Sequence, residues 1–96
     1  MKSNTLRKVV FSTIESFNKS NTEGIFVNID LKTKLTGSNT SLDSIALINL
    51  LLKLEKNIFK TFKKKITIVD QNVFQDKKIL NSIKNLIMHI EKKISE

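Results

Sequence analysis

The chain has 96 residues, of which 40% are hydrophobic and 27% charged, and its formal net charge is +8. It contains no cysteine, which excludes disulfides, thiolate metal sites and a cysteine nucleophile. This length predicts a single domain, residues 1–96, with a modest hydrophobic core. Because there is no proline and glycine occurs only twice, long helices meet few interruptions and we expect an all-α fold.

The first predicted helix covers residues 4–18, with Ser3, Asn4 or Thr5 as its cap. Its apolar residues recur mostly at three- and four-residue steps: Leu6, Val9, Val10, Ile14 and Phe17. The next segment, residues 25–41, alternates apolar and polar residues as a strand does. It fits equally well a long ordered loop whose aliphatic side chains close the end of a helical bundle.

The strongest predicted helix runs from Ile45 to about Phe62, with Ser41 or Asp43 as its cap. It has a narrow polar line, which consists of Asn49, Lys53, Lys56 and Lys60. The three lysines at 63–65 are expected to form the solvated end of this helix, where the helix dipole favours positive charge.

The last third of the chain predicts one short and one long helix. Residues 66–69 look briefly strand-like, and Asp70 can cap a short helical turn that follows. Asp76 is expected to open the last helix, whose regular apolar face contains Ile79, Leu80, Ile83, Leu86, Ile87, Ile90 and Ile94.

A more specific pattern lies in residues 42–58, LDSIALINLLLKLEKNI. An Asp–Ser pair before a helix is most often a cap, but here Asp43-Ser44-Ile45 opens an aliphatic helix that continues to a Leu-Glu pair. ITIVD follows at 66–70. Together with the chain length and the order of the elements, this pattern resembles stand-alone acyl and peptidyl carrier proteins over essentially the whole chain. The resemblance implies a small four-helix bundle, three helices long and one short, with a long loop between the first two.

The resemblance also implies a cofactor-bearing shuttle and not an enzyme. Ser44 would be esterified with 4'-phosphopantetheine, taken from coenzyme A by a Mg²⁺-dependent phosphopantetheinyl transferase that reads Asp43. The thiol of the arm would hold acyl or aminoacyl cargo as a thioester, supplied by a loading ligase and passed to an acyltransferase. Ile45, Ile48 and Leu52 would face partner proteins, whereas the helix would bury Leu50, Leu51, Leu54 and Ile58.

The charge of the chain departs from the family pattern. Carriers of fatty-acid synthesis are typically acidic along the second helix, whereas here lysines occupy that helix and Glu55 is its only acid. Like charges across an interface oppose docking, so the usual basic partners fit poorly. We therefore expect a specialised pathway, in envelope or secondary metabolism.

Two other functions fit a small basic helical domain, namely nucleic-acid binding and protein docking. The dispersed lysines and a single arginine, Arg7, argue against the first, so no nucleic acid is expected as a partner. His89 is the only histidine and is expected to be a packing or surface residue, and no metal site is expected. The sequence has neither a secretory leader nor a membrane-length apolar run, which predicts a cytoplasmic location. The chain is also expected to be a monomer.

Overall fold

The fold is described from a computed structural model, which covers residues 2–20, 26–35, 44–75 and 78–95. Within these ranges every regular secondary-structure element is a helix, and the all-α prediction is confirmed for them. The helices are α1 (Lys2–Ser20), α2 (Ser44–Phe62), the five-residue α3 (Gln71–Gln75) and α4 (Ile83–Ser95).

The core forms where α1 packs against α2 and α4. The α1 residues that face it are spaced as predicted, and Leu6, Val10, Ile14 and Phe17 are all buried. The helix already begins at Lys2, so the predicted caps Ser3, Asn4 and Thr5 lie inside its first turns and the capping prediction is wrong.

A buried polar link joins the first two helices. The hydroxyl of Thr13 donates to the backbone carbonyl of Val9 (2.7 Å) and accepts from the side-chain amide of Asn57 (2.8 Å). Because both hydrogen-bonding functions of this hydroxyl are used, its complete burial carries little desolvation penalty. Further along, Lys53 Nζ lies 3.5 Å from Ser20 Oγ. The later residue of α1, Ser20, thus contacts the earlier residue of α2, Lys53, so the two helices are antiparallel.

The connection after α1 is an ordered loop over residues 26–35, which settles the alternative that the sequence left open for this part of the segment. Asn18 clamps its beginning, since the side-chain amide and carbonyl of Asn18 each bond the backbone of Val27 at 2.8 Å. Val27 and Leu35 are buried in the core, whereas Phe26 is exposed. The loop therefore closes the bundle at Val27 and Leu35 and not along the whole alternating stretch.

The same loop caps the start of α4. Backbone carbonyls of Thr33 and Leu31 accept the amides of Ile83 and Lys84, each at 2.9 Å. Ser82 Oγ accepts the next amide of this turn, that of Asn85, at 3.1 Å. The free amides of the first helical turn are thus satisfied partly by a distant segment and partly by an N-cap serine.

The prediction that the last helix opens at Asp76 is wrong. The helix begins at Ile83, and residues 78–80 form a turn, while Asp76 itself lies outside the described residues. Ile79 and Leu80 are buried, but from the turn and not from a helix face. Their spacing before Ile83 imitates a helical period, which explains the early start.

Asp70 caps α3 as predicted. Its Oδ1 accepts the amide of Val73 at 3.0 Å, three residues into the turn. Its other oxygen, Oδ2, lies 3.4 Å from Lys93 Nζ of α4, and both side chains are about a quarter exposed. One carboxylate therefore starts the short helix and ties it to α4.

The end of α2 depends on an unusual backbone conformation at Lys63. This residue has φ of 57°, and its amide bonds the carbonyl of Phe59 at 2.9 Å, which is the left-handed helix-ending motif usually made by glycine. The predicted solvated end is correct for Lys63 and Lys65, which are exposed. It is wrong for Lys64, which is half-buried and donates from Nζ to the carbonyl of Ile94 near the end of α4.

Replacing Lys63 by glycine should stabilise the protein. A non-glycine residue in the left-handed region costs about 1–2 kcal/mol, and the greater entropy of glycine in the unfolded chain offsets part of that. We expect Lys63→Gly to raise the free energy of unfolding by about 0.5–1 kcal/mol, measured by urea denaturation. Lys63→Ala removes the same charge but keeps the Cβ atom, so an equal gain in that variant would contradict the backbone explanation.

Candidate functional site

The candidate attachment residue, Ser44, is the first residue of α2. The helix therefore starts where the sequence pattern predicted, one residue earlier than its first aliphatic position, Ile45. Asp43 and Ser41 lie outside the described residues, and Ser44 is described by its backbone alone. What the structure fixes is the position of Ser44, at the positive end of the dipole of a 19-residue helix.

The buried face of α2 was predicted correctly. The four positions assigned to the core are all at most 2% exposed: Leu50, Leu51, Leu54 and Ile58. Ala46 and Leu47 are also buried at the start of the helix. This face fixes the rotation of α2 about its axis, and with it the direction in which the remaining side chains project.

The opposite face carries a line of exposed apolar side chains next to Ser44. Ile45 is 72% exposed and Leu52 48%. The third residue assigned to this strip, Ile48, is less exposed than predicted, because it is half-buried. The sequence analysis missed Phe59, which is 51% exposed and continues the line seven residues after Leu52. The seven-residue spacing from Ile45 to Leu52 to Phe59 could have identified it. We call these three residues the α2 stripe.

The predicted polar line of α2 lies beside this stripe. Asn49, Lys56 and Lys60 are exposed, and Lys53 is half-buried where its Nζ approaches Ser20 on α1. Among the described residues, no carboxylate pairs with Lys56 or Lys60. The exposed side of α2 is therefore both apolar and positively charged.

Glu55 has a structural role that the sequence did not reveal. Its Oε2 accepts the backbone amides of Ile68 and Val69, at 2.7 and 2.8 Å. One carboxylate oxygen thereby holds the extended segment between α2 and α3 against α2, with Ile66 and Ile68 buried beneath it. Hydrogen bonds to an ionised acceptor are the stronger kind, so this contact holds the segment that follows α2 in place.

Other kinds of site are not found in the described part of the chain. Within it, no three His, Asp or Glu side chains come together as a metal site would require. None of its helices is both long and apolar enough to cross a bilayer. His89, the only histidine, is half-buried on α4.

Comparison with known proteins adds no family. No protein-family model matches the chain, no curated protein matches it, and no solved structure matches it.

Proposed function

We propose that this protein is a discrete acyl or aminoacyl carrier, with 4'-phosphopantetheine attached to Ser44. The observation that carries the proposal is the position of Ser44, as the first residue of α2 and directly before an exposed apolar strip. A prosthetic arm must leave the protein where a transferase can reach the attachment atom, and a partner must then find a surface beside the arm. The carrier proposal assigns both to this end of α2, where the exposed Ile45 directly follows Ser44.

Electrostatics favour a phosphate group at this position. A phosphodiester on Ser44 brings a negative charge to the N-terminus of a long helix, where backbone amides and the helix dipole stabilise anions. The hydroxyl oxygen would attack the β-phosphate of coenzyme A, and adenosine 3',5'-bisphosphate would leave. Because the chain has no cysteine, the thiol that carries the thioester has to come from such an arm.

The all-α architecture also supports the proposal. A helix, an extended connection, the Ser-led helix, a short helix and a closing helix follow one another in the order that the carrier resemblance implies. Under this proposal the elements form a carrier-type four-helix bundle, and Asp43 is read by the transferase. The wider assignment includes a loading ligase and an acyltransferase as partners, a cytoplasmic monomer and a specialised lipid or secondary-metabolite pathway.

Intact-mass spectrometry tests the attachment directly. After incubation with coenzyme A, Mg²⁺ and a broad-specificity phosphopantetheinyl transferase, we expect one phosphopantetheine adduct per chain. Ser44→Ala should abolish the adduct, because no other oxygen takes the place of the Ser44 hydroxyl. Asp43→Ala should slow the formation of the adduct but give the same increase in mass when the reaction is complete.

A matched control is Ser16→Ala, which removes an exposed hydroxyl from α1 and should leave the adduct unchanged. An adduct that persists in Ser44→Ala would refute the assignment of the site. Failure of a panel of transferases to modify the folded wild-type chain would refute the carrier function. Salt-sensitive retention on DNA or RNA in that case would favour the nucleic-acid-binding alternative.

A further inference from the structure

The α2 stripe is a line of exposed apolar side chains that the core does not use. Ile45, Leu52 and Phe59 lie at seven-residue steps, and each exposes about half of its surface or more. Two turns of helix separate successive members, so the three side chains form one line about 21 Å long. Scattered exposed hydrophobics are ordinary, but large apolar side chains aligned over four turns mark an interaction surface.

Positive charge accompanies this line along its second half. Lys56 lies four residues after Leu52 and three before Phe59, so it projects from the same face. Lys53 and Lys60 follow the stripe on one side, again seven residues apart. The only acid of α2, Glu55, is half-buried, and its Oε2 already accepts two backbone amides.

The width of the stripe indicates what kind of partner covers it. A helix that lies on a membrane presents a broad apolar face to the lipid, but most apolar positions of α2 are buried inside the protein. What remains is a narrow line with one exposed apolar residue every seven positions and lysines beside it, a width that one amphipathic helix covers and a bilayer does not. A second copy of the chain would oppose lysines to lysines, which disfavours self-association.

We propose that the α2 stripe docks an acidic amphipathic helix of a partner protein. The apolar side chains of that helix cover Ile45, Leu52 and Phe59, and its carboxylates pair with the exposed Lys56 and Lys60. The inference extends the proposed function by naming the chemistry of the partner, but it rests on exposure and charge and not on the modification of Ser44.

NMR titration with designed probes tests this docking. Two synthetic amphipathic helical peptides share a leucine seam and differ only in the residues that flank it, glutamate in one and lysine in the other. We expect the glutamate peptide to bind at least about tenfold more tightly, since like charges oppose docking. The largest shifts should fall on the stripe residues.

Variants of the full chain separate the two components of the surface. Phe59→Ala should weaken binding of the glutamate peptide, and Lys56→Glu should reduce or reverse the preference between the peptides. Met88→Ala is the matched control, because it removes a 52% exposed side chain from α4 and should change nothing. Urea denaturation of each variant establishes that it is folded.

Several outcomes would overturn the proposal. These are equal affinity for the two peptides, no binding of either, or shifts that avoid the stripe. Binding to phosphatidylglycerol vesicles without binding to the glutamate peptide would assign the surface to a membrane instead, and concentration-dependent dimerisation through the stripe would assign it to a second copy. Ser44→Ala should leave peptide binding intact, so failure of the docking proposal is distinguishable from failure of the carrier proposal.

Discussion

Leu51→Ala should lower the free energy of unfolding by about 2–5 kcal/mol, because it leaves a cavity in a core that cannot fully collapse around it. Leu51 is fully buried on α2 and faces the packed side chains of the bundle. Small domains are stable by only about 5–15 kcal/mol, so this loss would remove a large part of the total. Urea denaturation, with the midpoint and slope fitted together, measures the change.

The neighbouring Leu52 provides the control. Leu52→Ala makes the same chemical change one position along the same helix, but this side chain is 48% exposed. We expect the free energy of unfolding to change by no more than about 0.5 kcal/mol, as for most surface substitutions. A similar loss in both variants would mean that the assigned rotation of α2 is wrong, and with it the α2 stripe.

Glu55→Ala is the second substitution with a large expected effect. It removes the shared acceptor of the Ile68 and Val69 amides, and both bonds are charge-assisted. We expect a loss of about 2–3 kcal/mol in the free energy of unfolding, because the segment must release from α2 or leave partly buried amides unsatisfied. Hydrogen exchange at Ile68 and Val69 should accelerate in the same variant.

Two further variants isolate the cause. Glu55→Gln keeps an acceptor oxygen without the charge, and it should cost less than about 1 kcal/mol. Glu15→Ala removes a carboxylate that forms only an exposed i,i+4 pair with Lys19 on α1, and it should cost no more than about 0.5 kcal/mol. A loss in Glu55→Ala no greater than in Glu15→Ala would contradict the anchoring role.

The rotation of α2 was predictable from its sequence, because burial on a helix follows a simple period. Leu50, Leu51, Leu54 and Ile58 recur on one face, and the spacing alone separates them from Asn49. The exposure of Ile45 and Leu52 came from the carrier resemblance and not from periodicity, since an aliphatic at either position also suits a core. Phe59 was missed because the resemblance pointed only to the beginning of the helix.

Two short segments were less predictable, because their apolar and polar residues alternate as in a strand although neither segment belongs to a sheet. Residues 26–35 and 64–68 are loops that bury some of their aliphatic side chains, and their backbones bond to Asn18 and Glu55 instead of to a neighbouring strand. Period-two alternation indicates at most which side chains can share a face. It does not report what the backbone bonds to, which depends on residues distant in sequence.

The start of α4 shows the same limit of local patterns. Ile79 and Leu80 stand four and three residues before Ile83, where helical neighbours would lie, yet they belong to a turn. Ser82 Oγ accepts a backbone amide in the first turn as an N-cap does, and the sequence analysis did not identify this residue. The contacts that decide this boundary come from Leu31 and Thr33, which no local window includes.

Those same contacts have a kinetic consequence. The opening turn of α4 is completed by carbonyls that precede it by about 50 residues, so its hydrogen bonds cannot all form until a loop of roughly half the chain has closed. A bundle of this size built only from local contacts would fold on the microsecond-to-millisecond scale. Joining the middle of the chain to its last helix raises the mean sequence separation of native contacts and should place this domain among the slower all-helical folders.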